Sequence, residues 1–311
     1  MNSETNTFKG VGDKAIHYYK WSSDNPKAIL QVIHGMGEHA GRYDRLAEDL
    51  TKEGFVLYAN DHRGHGKTAE SVDKIGYFEN RHFWNDTQSD LKQMTAIAMN
   101  EYPGLPVIAL GHSMGSFLLR DYLTNKDMPF VAAILSGTAG DPGLLGKIGR
   151  LMAKLLGKIH GRTTRSEFLR SLSFGKFNKE FAPMRTKADW LTRDEAVADA
   201  YVADEMCSKT FTSGFWDNML EGVLKINTKA AFDQTPKDLP IYMFAGQRDP
   251  VGDFGKGVTE VFEKYKNVGI RQIECTLYPD ARHEMLNEIN RDEVIASMLE
   301  WMSQQLIKHE K

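Results

Sequence analysis

The stretch VIALGHSMGSFLLR, residues 107–120, sets a serine between two glycines where one apolar run gives way to a second of different spacing. Val107–Leu110 is apolar without interruption, the pattern of a strand covered on both faces in a parallel sheet. From Ser116 the residues SFLLRDYL have helical spacing. The reading is strand, tight turn, helix. Gly111 and Gly115 suit a turn in which backbones come close together, and such a turn lifts the Ser113 hydroxyl above the C-terminal edge of a sheet. A plain structural turn is the competing reading, and only partners elsewhere in the chain separate the two.

Outward from this point the same punctuation recurs. FKGVGDKAIHYYKW (8–21) reads as a hairpin turning at Gly12-Asp13. AILQVIHG (28–35), FVLYAND (55–61) and VAAILSG (131–137) read as buried strands, and PIYMFAGQRDP (240–250) and QIECTLYPDARHE (272–284) as strands with their following loops. Helical patterns fall at about 42–53, 86–101, 114–125, 256–266 and 291–308. Alternating β and α units imply an α/β fold with a mostly parallel sheet flanked by helices. Residues 138–235 break the alternation with helical patterns and almost no β-branched runs. The expected organisation is therefore a core in two parts, 1–137 and 236–311, with a helical cap inserted at 138–235.

Composition narrows the function. The chain has 311 residues, 41% hydrophobic and 26% charged, with a net charge of −3, which argues against a general nucleic-acid binder. Two cysteines, Cys207 and Cys275, exclude a disulfide framework and favour a reducing compartment. The opening MNSETNTFKG holds no apolar signal segment, so a cytoplasmic location is expected.

A serine hydroxyl attacks well only if a base takes its proton. His283 follows the last strand and Asp249 the next-to-last, and strand ends of an open α/β sheet share one crevice. The chain order Ser113, Asp249, His283 is that of a nucleophile-elbow hydrolase. Asp253 and Asp280 are rival acids; Asp253 reads as a cap of the next helix and Asp280 lies in the histidine's own loop. The oxyanion formed on attack needs N–H donors. Met114, after the serine, supplies one; the glycine-rich HGMGEHAGRY (34–43), with His34, Gly35 and Gly37 around Met36, supplies the other from the Met36 amide. His112 lies beside the nucleophile. DHRGHGKT (61–68) invites a metal reading, but no metal-ligand signature is present, and His62 and His65 are read as shaping their loop. No nucleotide fingerprint occurs; neither metal nor cofactor is expected.

HGMGEHAGRY, DHRGHGKT, GHSMGS, GQRDPVGD and DARHEMLNE together resemble the monoacylglycerol lipase and lysophospholipase-like group of α/β-hydrolases, over residues 8–302 apart from the insertion. The resemblance implies an eight-stranded α/β-hydrolase sheet with a cap between strands 6 and 7. It also implies Ser113, Asp249 and His283 as a triad, Met36 and Met114 as oxyanion donors, and cofactor-free hydrolysis of monoacylglycerols, lysophospholipids or smaller esters. A short-chain carboxylesterase, a peptidase or amidase, and a non-catalytic ligand-binding fold are the alternatives. GLLGKIGRLMAKLLGKIHGR (143–162) is basic and amphipathic. It reads either as a membrane-surface contact or acyl-chain entrance, or as a helix packing its leucines on the core. Gly146, Gly149 and Gly157 weaken it and suit a mobile lid.

Overall fold

A computed structural model describes residues 1–78 and 82–309, so two residues of the expected second core part, 310 and 311, fall outside it. The strands are β1 (Asn2–Lys9), β2 (Ala15–Ser22), β3 (Ala28–Ile33), β4 (Phe55–Asn60), β5 (Val107–His112), β6 (Phe130–Ser136), β7 (Ile241–Gly246) and β8 (Ile273–Tyr278). They form one sheet in the order β1-β2-β4-β3-β5-β6-β7-β8. β2 runs antiparallel to β1 and β4; the remaining pairings are parallel.

Every residue of β3, β4, β5 and β7 is buried, which is why these strands carry no polar alternation. Successive residues still point to opposite faces. Along β3, Ile29 and Ile33 join one apolar cluster while Leu30 and Val32 join the other. The first cluster is closed by α2 (Phe83–Glu101), α3 (Met114–Tyr122) and α9 (Lys256–Asn267). The second is closed by α1 (Asp44–Lys52) and α10 (Arg291–His309).

Two local expectations change. β1 starts at Asn2, well before the apolar residue Phe8; seven of its eight residues are exposed and full-length pairing with β2 holds it. Helix α3 starts at Met114, where the 114–125 pattern begins, because the Ser116 and Phe117 amides already bond the Ser113 carbonyl. Asp253 does not cap α9; the cap position is Gly255, at φ 87°.

Between β6 and β7 lie α4 (Gly143–His160), α5 (Glu167–Phe174), α6 (Glu195–Ala203), α7 (Ser213–Ile226) and α8 (Lys229–Gln234). Helix α4 corrects the reading in which its leucines face the core: of its apolar stripe only Met152 and Leu156 pack against the core cluster, half-buried. Its buried residues are Gly146, Gly149, Ala153 and Gly157, and it packs mainly on α7. A side chain at Gly149 would meet Leu220 of α7 at 3.4 Å. The glycines are therefore the packing face, and Leu144, Leu145, Ile148, Leu151, Leu155 and Ile159 are left exposed, Leu145 at 81%.

Candidate active site

The turn after β5 leaves no room for side chains on either flank of the serine. A Cβ on Gly115 would stand 1.9 Å from the Ile33 carbonyl oxygen, and one on Gly111 would stand 2.5 Å from the Gly115 carbonyl oxygen. Ser113 itself sits at φ 52°, ψ −120°, a conformation costing roughly 1–3 kcal/mol that the packed turn imposes. Its side chain faces a cavity shared with His112, Met114, Met36 and His283.

His283 Nδ1 donates to Asp249 Oδ2 at 2.9 Å. Both groups are buried, and Asp249 Oδ1 also accepts from the Val251 amide at 2.8 Å. The imidazole lies between the rings of His112 and Trp190, at centroid separations of 4.7 and 5.1 Å. Burial pulls the His283 pKa down, but the Asp249 carboxylate outweighs it and leaves the value above the ordinary histidine range. Burial, then the nearby His283, pushes His112 down to about 4. His112 Nδ1 meets Ser136 Oγ at 3.2 Å. No hydrogen bond joins Ser113 Oγ to His283 among the described residues; such bonds often tighten only around substrate. Asp280 is exposed and Asp253 lies beside Lys256, so neither rival reaches the imidazole.

Met114 is the first residue of α3, where the backbone N–H has no intrahelical acceptor. Opposite, Gly37 takes φ 74°, turning the loop after β3 beneath the serine. The Gly35 amide is held by Glu38 Oε1 at 2.6 Å, whereas the Met36 amide has no acceptor among the described residues. His34 Nδ1–H donates to the Gly35 carbonyl at 2.7 Å, since its Nε2 accepts from the His62 amide at 3.0 Å. His34, His62 and His65 form a buried ring cluster beneath this loop. Burial lowers all three, His62 to about 3 and His65 to about 4.

Sequence reasoning missed a buried charge bridge. The Arg42 guanidinium donates to Glu38 Oε2 and, through both terminal nitrogens, to Glu284, each at 2.7 Å. Glu38 belongs to the Met36 loop and Glu284 follows His283, so Arg42 ties the two loops together. Burial pushes the Glu284 carboxyl up, yet Arg42 holds it well below the usual range. Both glutamates lie in stretches already singled out, but their 246-residue separation hides the pairing. The insertion's contribution was equally hidden: Phe174, Phe177, Trp190, Trp216, Leu220 and Val223 line the cavity, whose volume is about 190 Å³.

This sheet, with a serine at its elbow and a histidine–aspartate pair beyond the last two strands, is an α/β-hydrolase. The chain belongs to the hydrolase family described as serine aminopeptidase, S33, whose pattern matches residues 24–290. It is 27% identical to a monoacylglycerol lipase of Mycolicibacterium smegmatis over 306 residues, covering 95% of each chain. It is 27% identical to the monoglyceride lipase of Homo sapiens, covering 92% of this chain and 86% of that one. Among solved structures, a carboxyl esterase from Bacillus coagulans in complex with glycerol superposes with a TM-score of 0.91, at 26% identity, covering 98% of this chain and 99% of that one.

Proposed function

We propose that this carboxylic ester hydrolase cleaves monoacylglycerols, lysophospholipids or related single-chain esters through Ser113, His283 and Asp249. His283 takes the hydroxyl proton as Ser113 Oγ attacks the ester carbonyl, and Asp249 stabilises the imidazolium. The Met36 and Met114 amides receive the oxyanion. The imidazolium then gives its proton to the leaving alcohol, and water, activated by the same histidine, releases the fatty acid from Ser113. No metal or cofactor enters any step.

One observation carries the choice of substrate. The cavity over Ser113 is walled mainly by aromatic and aliphatic side chains, and its two carboxylates, Glu38 and Glu284, are both bound to Arg42. An aminopeptidase must seat the α-ammonium of its substrate on an acidic oxygen, and every oxygen of these two already accepts from Arg42, the Gly35 amide, Tyr43 or Asn287. An acyl chain needs only the apolar wall. In this reading the inserted segment is the cap over the site. The exposed leucines of α4, interleaved with Lys147, Lys154 and Lys158, rest on an anionic lipid surface and bring the cavity to its substrate. No described helix is long and apolar enough to cross a membrane.

The test is product release from 1-monooleoylglycerol, lysophosphatidylcholine, a short-chain ester and an aminoacyl arylamide, with wild type and Ser113→Ala. Turnover of the long-chain esters, lost in Ser113→Ala, is the expected result. Turnover of the short ester alone makes this a small-ester hydrolase; turnover of the arylamide alone overturns the ester reading.

A further inference from the structure

We propose that His39, Asp204 and Cys207 form a binding site for a thiophilic divalent cation of the zinc class, which clamps the inserted segment onto the loop carrying Met36. One ligand atom from each residue lies within 4.8 Å of the other two. His39 and Cys207 are buried, while the Asp204 side chain is 27% exposed and gives a route from solvent.

The hydrogen bonding already has the form of such a site. His39 Nε2–H donates to Asp204 Oδ2 at 2.8 Å, and the Cys207 sulfur lies within 4.8 Å of both ligand atoms. One proton therefore already bridges two of the three groups that a cation would hold. Imidazole, carboxylate and thiolate are zinc's ligands, and tetrahedral zinc at ~2.0–2.3 Å sets its ligand atoms about 3.3–3.8 Å apart. Side-chain shifts of about an ångström close the triangle, with water in the fourth position. Thiolate and carboxylate together neutralise a divalent charge. On binding, the thiol proton leaves to solvent and the imidazole proton moves from Nε2 to Nδ1, which has no partner among the described residues.

The ligands come from two segments. His39 lies on the loop after β3, while Asp204 and Cys207 follow α6. The Ser208 amide and the Tyr201 hydroxyl both donate to the Gly37 carbonyl, at 2.9 and 3.0 Å. A cation at this junction would thus fix the Gly37–Glu38 peptide, next to Met36, and the insertion as one unit, raising thermal stability and slowing turnover of long-chain esters.

The experiment is calorimetric titration of Zn²⁺ into chelator-treated full-length protein, with wild type, Cys207→Ser and Asp204→Asn. Co²⁺ is titrated in parallel and followed by its thiolate charge-transfer absorption. One equivalent should bind, with affinity at least about tenfold lower in each variant, and the cobalt complex should show the thiolate band. The band needs no variant, so misfolding of a substitution cannot mimic failure. Absence of saturable binding, or a cobalt complex without the band, overturns the site. Binding with unchanged ester turnover overturns the clamp. Neither binding measurement depends on the ester-hydrolase reading.

Discussion

Ser113 keeps a backbone conformation that a free chain would leave, so its neighbours must hold it there. Gly115→Ala puts a methyl group into the Ile33 carbonyl, and the expected loss is at the upper end of ~1–3 kcal/mol, read by denaturant unfolding. Asp249→Asn has a different signature. In the wild type, neutral His283 accumulates only as pH rises through a value above the ordinary histidine pKa, and kcat/KM climbs with it. In the variant the Asp249 charge no longer offsets burial, and Glu284 and Glu38 offset it only in part, so the acid limb moves to lower pH while kcat falls by about 10⁴. A pH–rate profile of both proteins checks the shift; an unmoved limb would assign that pKa elsewhere. Ser113, Asp249 and His283 could be picked from the chain because each follows a legible apolar strand. Arg42 could not, since its pairing with Glu38 four residues earlier looks like any surface pair and its second partner, Glu284, lies 242 residues away. Arg42→Met leaves two buried carboxylates unpaired, and a loss of roughly 3–5 kcal/mol is expected in thermal or denaturant unfolding.

At the level of elements, the parallel strands were readable because burial on both faces demands unbroken apolar runs. Strand β1 was not, because its exposed residues are held by backbone pairing, to which side-chain pattern is blind. Helix α4 shows the same limit in another form. Its periodicity was plain, but periodicity does not say which stripe is buried, and here the small residues pack with Met152 and Leu156 while the other leucines do not. Replacing Leu144, Leu145 and Leu151 by serine should therefore leave unfolding nearly unchanged, within about 0.5 kcal/mol for each. The same protein should lose its binding to anionic phospholipid vesicles in co-sedimentation, and equal binding by both proteins would refute the lipid contact.

For the whole molecule, the cavity lies where core and insertion meet, so substrate choice depends on both. If the acyl chain fills it, each added methylene contributes about 0.8 kcal/mol, or roughly a fourfold rise in kcat/KM, until the apolar wall is covered. A series of p-nitrophenyl esters of increasing chain length reads this directly, and a flat series would contradict an acyl-binding cavity. The outward leucines of α4 also have a colloidal consequence. In plain buffer, with no lipid to cover them, two molecules gain by setting these rows against each other. The hydrodynamic size of the purified protein should then grow with concentration and fall back when mild detergent is added.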